Sequence, residues 1–190
     1  MTGNVDAAAA ARGRENEARL REIVELDLLS PGVDDILQAT VAEAAERLHL
    51  PQAMVTVVLD QAQFFAAHHG LDGWMAEARG TPVEWSFCAL AVASGDPFVV
   101  EDATTHPLTR DNPLVAHEGI RCYAGIPLVS SCGHTLGTLC VIGKKARTFS
   151  DADLDELRGL AEKAVWRIEE RRIGGGEADG EEKAEPRQGG

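Results

Sequence analysis

The sequence predicts an α+β domain built on one central antiparallel sheet. Three observations point there: two pairs of β-rich segments separated by short turns, amphipathic helical patterns at both ends, and no regular alternation of strand and helix. With 190 residues, 44% of them hydrophobic and 26% charged, the chain has the size and balance of one globular domain carrying tails.

Residues 1–14 are small, polar and alanine-rich, and are set apart as a disordered N-terminal segment. The folded unit is expected over 15–172. The first helix runs from Glu15 to Leu29, where Leu20, Ile23, Val24 and Leu28 fall near one face before Ser30-Pro31-Gly32 stops it. A second runs from Asp34 to Leu50, carrying Ile36, Leu37, Val41, Ala44, Ala45 and Leu48 up to Pro51. A strand hairpin follows, its arms 53–59 and 63–69, rich in β-branched and aromatic residues.

Trp85 to Ser94 reads as a short buried helix closed by Gly95-Asp96-Pro97, and Phe98 to Glu101 as a short strand. Residues 102–118 hold two prolines and little periodicity, so they form a long polar excursion with one helical turn at most, of the kind that often binds ligands. Arg121 to Ser130 and His134 to Lys144 make the clearest hairpin, turning at Ser131-Cys132-Gly133. Ser150 with Asp153 resembles a capping box and opens a long final helix. In that helix Leu154, Leu157, Ala161, Ala164 and Ile168 form a seam suited to a helix of this chain, of a partner, or of a second copy. Residues 173–190 form an acidic, glycine-rich tail expected to be disordered.

Charge and composition exclude several function classes. Eighteen Lys and Arg against 31 Asp and Glu give −13, which repels phosphate backbones and anionic lipid, so neither nucleic acid nor membrane is an expected partner. No apolar run approaches the roughly 18 residues a membrane helix needs, and the alanine-rich opening with Asp6 lacks the pattern of a secretory leader. Four cysteines with no CxxC pair suit a reducing compartment, so a cytoplasmic location is expected.

Five blocks in the middle of the chain resemble a GAF domain of the kind attached to bacterial sensor kinases and diguanylate cyclases. They are Trp85-Ser86-Phe87-Cys88-Ala89, Phe98 to Ala103, Asn112 to Val115, Gly119 to Leu128, and Gly137 to Ile142. The similarity covers roughly residues 18–172. It implies a central antiparallel sheet, terminal helices on one face and a small-molecule pocket under loops on the other. It also implies a sensory module that is not an enzyme and that signals through a homodimer or a signalling-protein partner.

On that layout the ligand-binding candidates are Phe87, Cys88, Asp102, Asn112, Arg121 and Tyr123. Phe87 and Tyr123 supply aromatic walls, while Asp102, Asn112 and Arg121 orient a polar ligand. The same residues read equally well as core and loop braces. No cofactor or metal is assigned. Cys88-Ala89 replaces the cysteine–histidine pair that bilin attachment would want, and the six histidines show no zinc spacing and read as core or surface residues ahead of haem ligands.

The cysteines support a second reading, a thiol-based redox sensor using Cys88, Cys132 or the Cys122/Cys140 pair. A three-residue turn would set Cys122 and Cys140 as diagonal neighbours on one sheet face, too far apart for a static disulfide. A two-residue turn would set them on opposite faces. A third reading is a methionine sulfoxide reductase, which the cysteine count satisfies but the cysteine positions do not resemble well.

Overall fold

The computed structural model describes residues 3–30 and 32–175. Six strands form one antiparallel sheet in the order β3-β2-β1-β6-β5-β4. The strands are β1 (Gln52–Val58), β2 (Ala62–His69), β3 (Gly80–Pro82), β4 (Phe98–Val100), β5 (Cys122–Val129) and β6 (Thr135–Gly143). Three long helices, α1 (Gly3–Glu25), α2 (Gly32–Arg47) and α6 (Asp151–Gly175), cover one face. The other carries α3 (Gly73–Ala78), α4 (Phe87–Ser94), α5 (Pro113–Glu118) and the polar excursion. The α+β fold expected from the sequence is therefore the fold observed.

Helix α1 begins at Gly3, so it takes in residues 3–14, which the sequence reading had set apart as disordered. Alanine is the best helix former, and the run Ala7 to Ala11 extends the helix in spite of Gly13. The expected tail, 173–190, lies outside the described residues beyond Gly175. Helix α3 and edge strand β3 were not expected. The left-handed Arg79, with φ +49°, ends α3 and turns the chain straight into β3.

Central strands β1 and β6 are buried on both faces, and their alternation separates two cores. Ala53, Val55 and Val57 of β1 join Leu139 and Val141 of β6 in the core under the long helices. Met54, Val58, Cys140 and Ile142 join the core on the opposite side. At Gly137 the sheet closes up tightly: an added Cβ would sit 1.7 Å from the Thr56 carbonyl oxygen. That proximity requires glycine.

The seam on α6 finds its partner inside the chain. Leu157, Ala161, Ala164 and Ile168 are buried with Leu37, Val41, Ala44 and Ala45 of α2, and Leu154 packs against the same core. Of the partners left open for this seam, the structure supplies the one inside the chain, α2 and the sheet rather than the first helix, and assignment of these residues to a dimer or partner helix is corrected because they are already covered. Ser150 and Asp153 cap α6 reciprocally, the Ser150 amide donating to Asp153 at 2.8 Å and the Asp153 amide to Ser150 Oγ at 3.2 Å. Trp166, 59% exposed, stays outside the core.

The excursion is held by an ionic clamp. Arg121, just before β5, donates through Nε and Nη2 to the two Asp102 oxygens at 3.0 and 2.7 Å. Asp102 also accepts from the Thr104 amide and hydroxyl at 3.1 and 2.7 Å. These donors, Arg121 first, hold the Asp102 carboxyl well below the usual carboxylate range. Asn112 caps α5, accepting from the Leu114 amide at 2.9 Å, and donates to the Trp85 carbonyl at 3.1 Å, which ties the excursion to the start of α4.

Two outcomes follow. Leu157→Ala should lower unfolding free energy in urea by about 2–5 kcal/mol with no change in oligomeric state by light scattering; a small loss together with dissociation would place the seam between copies. Asp102→Asn should lower the unfolding temperature near pH 7. Because the folded carboxyl titrates below the unfolded one, that gap is full above the ordinary value of about 3.9 and narrows as pH falls below it. A gap constant down to pH 2 in calorimetry would contradict the clamp.

Candidate functional site

The face opposite the long helices is where a pocket was expected, and side chains fill it. Tyr123 and Gly125 share that face of β5, two residues apart. The Tyr123 phenol lies along the strand over Gly125, where an added Cβ would meet the hydroxyl oxygen at 2.1 Å. Phe87, at the first turn of α4, meets Tyr123 edge-on at 5.4 Å between ring centroids, and Phe98 of β4 closes its other side at 5.9 Å. His106 of the excursion stacks edge-on against Phe98 at 5.6 Å. Phe87 and Tyr123 are thus core residues, with Tyr123 only 2% exposed.

Open grooves lie elsewhere. One of about 460 Å³ runs beside β2 and β3 between Phe64, Trp74 and Arg79. Another of about 470 Å³ lies at the end of β6 by His49, Lys144 and Arg147. Neither is lined by any of the six ligand candidates. The polar members, Asp102, Asn112 and Arg121, brace the excursion, while Phe87, Cys88 and Tyr123 form a buried group beneath α4.

That buried group is a sulfur and hydroxyl centre. Cys88 sits in the first turn of α4, whose N-cap Ser86 accepts from the Ala89 amide at 3.0 Å and donates to the Gln63 side chain. Cys140 rises from β6 directly below. Their sulfurs are 3.8 Å apart, and the Tyr123 hydroxyl donates to Cys88 Sγ at 3.3 Å. Thr56 and Thr138, paired across β1 and β6, place their hydroxyls 3.1 Å from each other in the same buried layer.

Electrostatics separates the two thiols. Burial pushes the Cys88 thiol up, but hydrogen bonds from Cys140, Thr138, Thr56 and Tyr123 outweigh it and bring its pKa down. The hydrogen bond to Cys88 and burial push Cys140 the other way, well up. The two thiols therefore titrate as a pair, and the hydrogen bonds favour ionisation at Cys88 over Cys140. Burial, first, and the charge on Cys88 also raise Tyr123, which stays a hydrogen-bond donor.

Of the two cysteine geometries the sequence left open, the structure shows the one on opposite faces and reaches it by a bulge rather than by a two-residue turn. A three-residue register holds only at the turn, where Val129 faces Thr135. A bulge between Leu128 and Val129 then shifts the ladder by one, so Cys122 faces Gly143 and Cys140 faces Gly125. Cys122 consequently points into the core under the long helices and Cys140 into the other. They are not a pair. Cys132 is exposed in the hairpin turn, away from this centre. Thr56 and Thr138 went unnoticed in the sequence because only strand pairing aligns them with Cys140. Among the described residues no group of three His, Cys, Asp or Glu side chains is placed to hold a metal, and no helix is long and apolar enough to cross a membrane.

Comparison with known proteins places this architecture. The family model for the GAF domain matches residues 30–165. A cyclic di-GMP phosphodiesterase of Pseudomonas aeruginosa is 36% identical over 156 residues, which is 81% of this chain. The chain spans only 26% of that relative's length. Among solved structures, the GAF domain of a phosphoenolpyruvate-protein phosphotransferase from Coxiella burnetii aligns with a TM-score of 0.63 at 20% identity, covering 86% of this chain and 98% of that one. A type II free methionine-R-sulfoxide reductase from Thermoplasma acidophilum aligns with a TM-score of 0.60 at 17% identity, covering 73% and 93%.

These matches overturn the expectation that the chain is not an enzyme: a relative that matches 81% of this chain, over 26% of its own length, is named a cyclic di-GMP phosphodiesterase, and a named reductase has the same fold. Sheet order, helical layer and the span of the family match agree, and the chain belongs to the GAF domain family, a family of sensory and regulatory domains.

Proposed function

We propose that this chain is a sensory domain whose input is the Cys88–Tyr123 side of the sheet and whose signal sets the rate of cyclic di-GMP breakdown. The observation that carries the input side is the buried polar centre under α4. Two thiols, a phenol and two threonine hydroxyls occupy a layer that a packed core would fill more simply with aliphatic side chains. The link to cyclic di-GMP is supported by the phosphodiesterase relative, which matches this chain over 81% of its residues.

On the output side the helical layer leaves apolar positions for a partner. Trp166 of α6 and Val24 of α1 are both exposed, whereas the α6 seam is not available. A small-molecule ligand entering the input side has to displace Tyr123 or Phe87, because those rings occupy the space.

Cyclic di-GMP extracted from bacteria producing the folded chain and quantified by mass spectrometry should fall below the level in cells with an empty vector. Tyr123→Phe, which keeps the ring and removes the hydroxyl from Cys88, should weaken that fall. An unchanged level with soluble wild-type chain present would refute the link to cyclic di-GMP.

A further inference from the structure

Cys88 and Cys140 stand out among the buried groups of the molecule because each faces the other. Most buried cysteines pack as small hydrophobes. Here the sulfurs are already 3.8 Å apart and need to approach by roughly 1.8 Å to reach bonding distance. The two supports differ in stiffness. Cys140 lies on β6, hydrogen-bonded to β1 on one side and β5 on the other. Cys88 lies on an eight-residue helix that rests on the sheet and ends in the left-handed Gly95. Closure therefore moves α4 and leaves the sheet in place.

We propose that Cys88 is a peroxide-reactive thiol that closes a disulfide onto Cys140. In the first step the Cys88 thiolate attacks the peroxide oxygen. The O–O bond breaks, an S–O bond forms, the sulfur is oxidised by two electrons, and the peroxide leaves as alkoxide or hydroxide that takes a proton. In the second step the Cys140 sulfur attacks the resulting sulfenic acid, the S–S bond forms, and the hydroxyl leaves as water with the Cys140 proton. The Tyr123 hydroxyl, 3.3 Å from Cys88 Sγ, stabilises the thiolate before the first step. Cys122 takes no part, since the sheet lies between it and Cys88, and Cys132 is out of reach in the hairpin turn.

The disulfide has a structural consequence. Ala89, Val92 and Ala93 of α4 form one wall of a groove of about 430 Å³ whose other wall includes Asn16 and Arg19 of α1. Drawing α4 toward β6 changes that wall, so oxidation on one face of the sheet reaches the first helix of the other layer. The inference stands apart from any role in cyclic di-GMP breakdown, and its test does not read that nucleotide.

The test uses the 190-residue chain, reduced, desalted and exposed under native conditions to hydrogen peroxide. Non-reducing peptide mapping should show a Cys88–Cys140 link with a loss of two hydrogens, also in Cys132→Ser. Cys140→Ser should stop at a sulfenic acid on Cys88 that dimedone traps. Near-ultraviolet circular dichroism before and after oxidation establishes that the chain is folded. Links that instead join Cys132 between chains, or peroxide treatment that leaves Cys88 and Cys140 reduced in the folded wild-type protein, would overturn the proposal. Because the wild-type map needs no substitution, the proposal stands or falls even where a serine variant does not fold.

Discussion

The missing Cβ at Gly125 is the constraint on which the far side of this molecule depends. Any other residue there would occupy the place of the Tyr123 phenol. With glycine present, the ring lies along β5, touches Phe87 and Phe98, and brings its hydroxyl to Cys88. One side chain thereby joins α4, β4 and β5 into a single layer. It also replaces the cavity expected on this face with a packed interior, so that the chemistry available there belongs to the protein's own thiols and hydroxyls.

The sheet divides the molecule into two cores with different tasks. Under the long helices the interior is aliphatic, and α2 and α6 bury their apolar seams against each other and the sheet. On the other side, sulfur, phenol and hydroxyl groups are buried together at the cost of their hydration, which only mutual hydrogen bonding offsets. That partition comes from strand alternation in β1 and β6. Thr56 and Thr138 face each other across the ladder, and Cys140 lies two residues further along the same face. A bulge near the hairpin turn decides the partition for the cysteines, sending Cys122 to the aliphatic side.

Much of the fold was legible in the chain. β-branched runs around short turns marked four of the six strands, Phe98 to Glu101 marked a fifth, and Ser150 with Asp153 marked the start of α6. Helix α1 was read too short because alanine-rich polarity looks like disorder when a helix lacks an amphipathic face. Strand β3 escaped because three residues carry no periodicity. The site was half legible. Phe87, Cys88 and Tyr123 were found through the family resemblance and Cys140 through the cysteines, but Thr56, Thr138 and the relations among them were not, since Cys88 and Cys140 are 52 positions apart and meet only through tertiary packing. The Cys122/Cys140 pairing failed on one residue of register, which a bulge supplies and no composition announces.

The most direct measurement of this account is the rate at which iodoacetamide alkylates Cys88 in the native protein, with and without Gly125→Ala. The added methyl group overlaps the phenol and forces it off the strand, so labelling should be slow in the wild-type chain and faster by about tenfold or more in the variant, the ratio that a local opening easier by about 1.4 kcal/mol would produce. Equal rates in two folded proteins would show that Tyr123 does not close this face, and the account of the buried centre would fail with it.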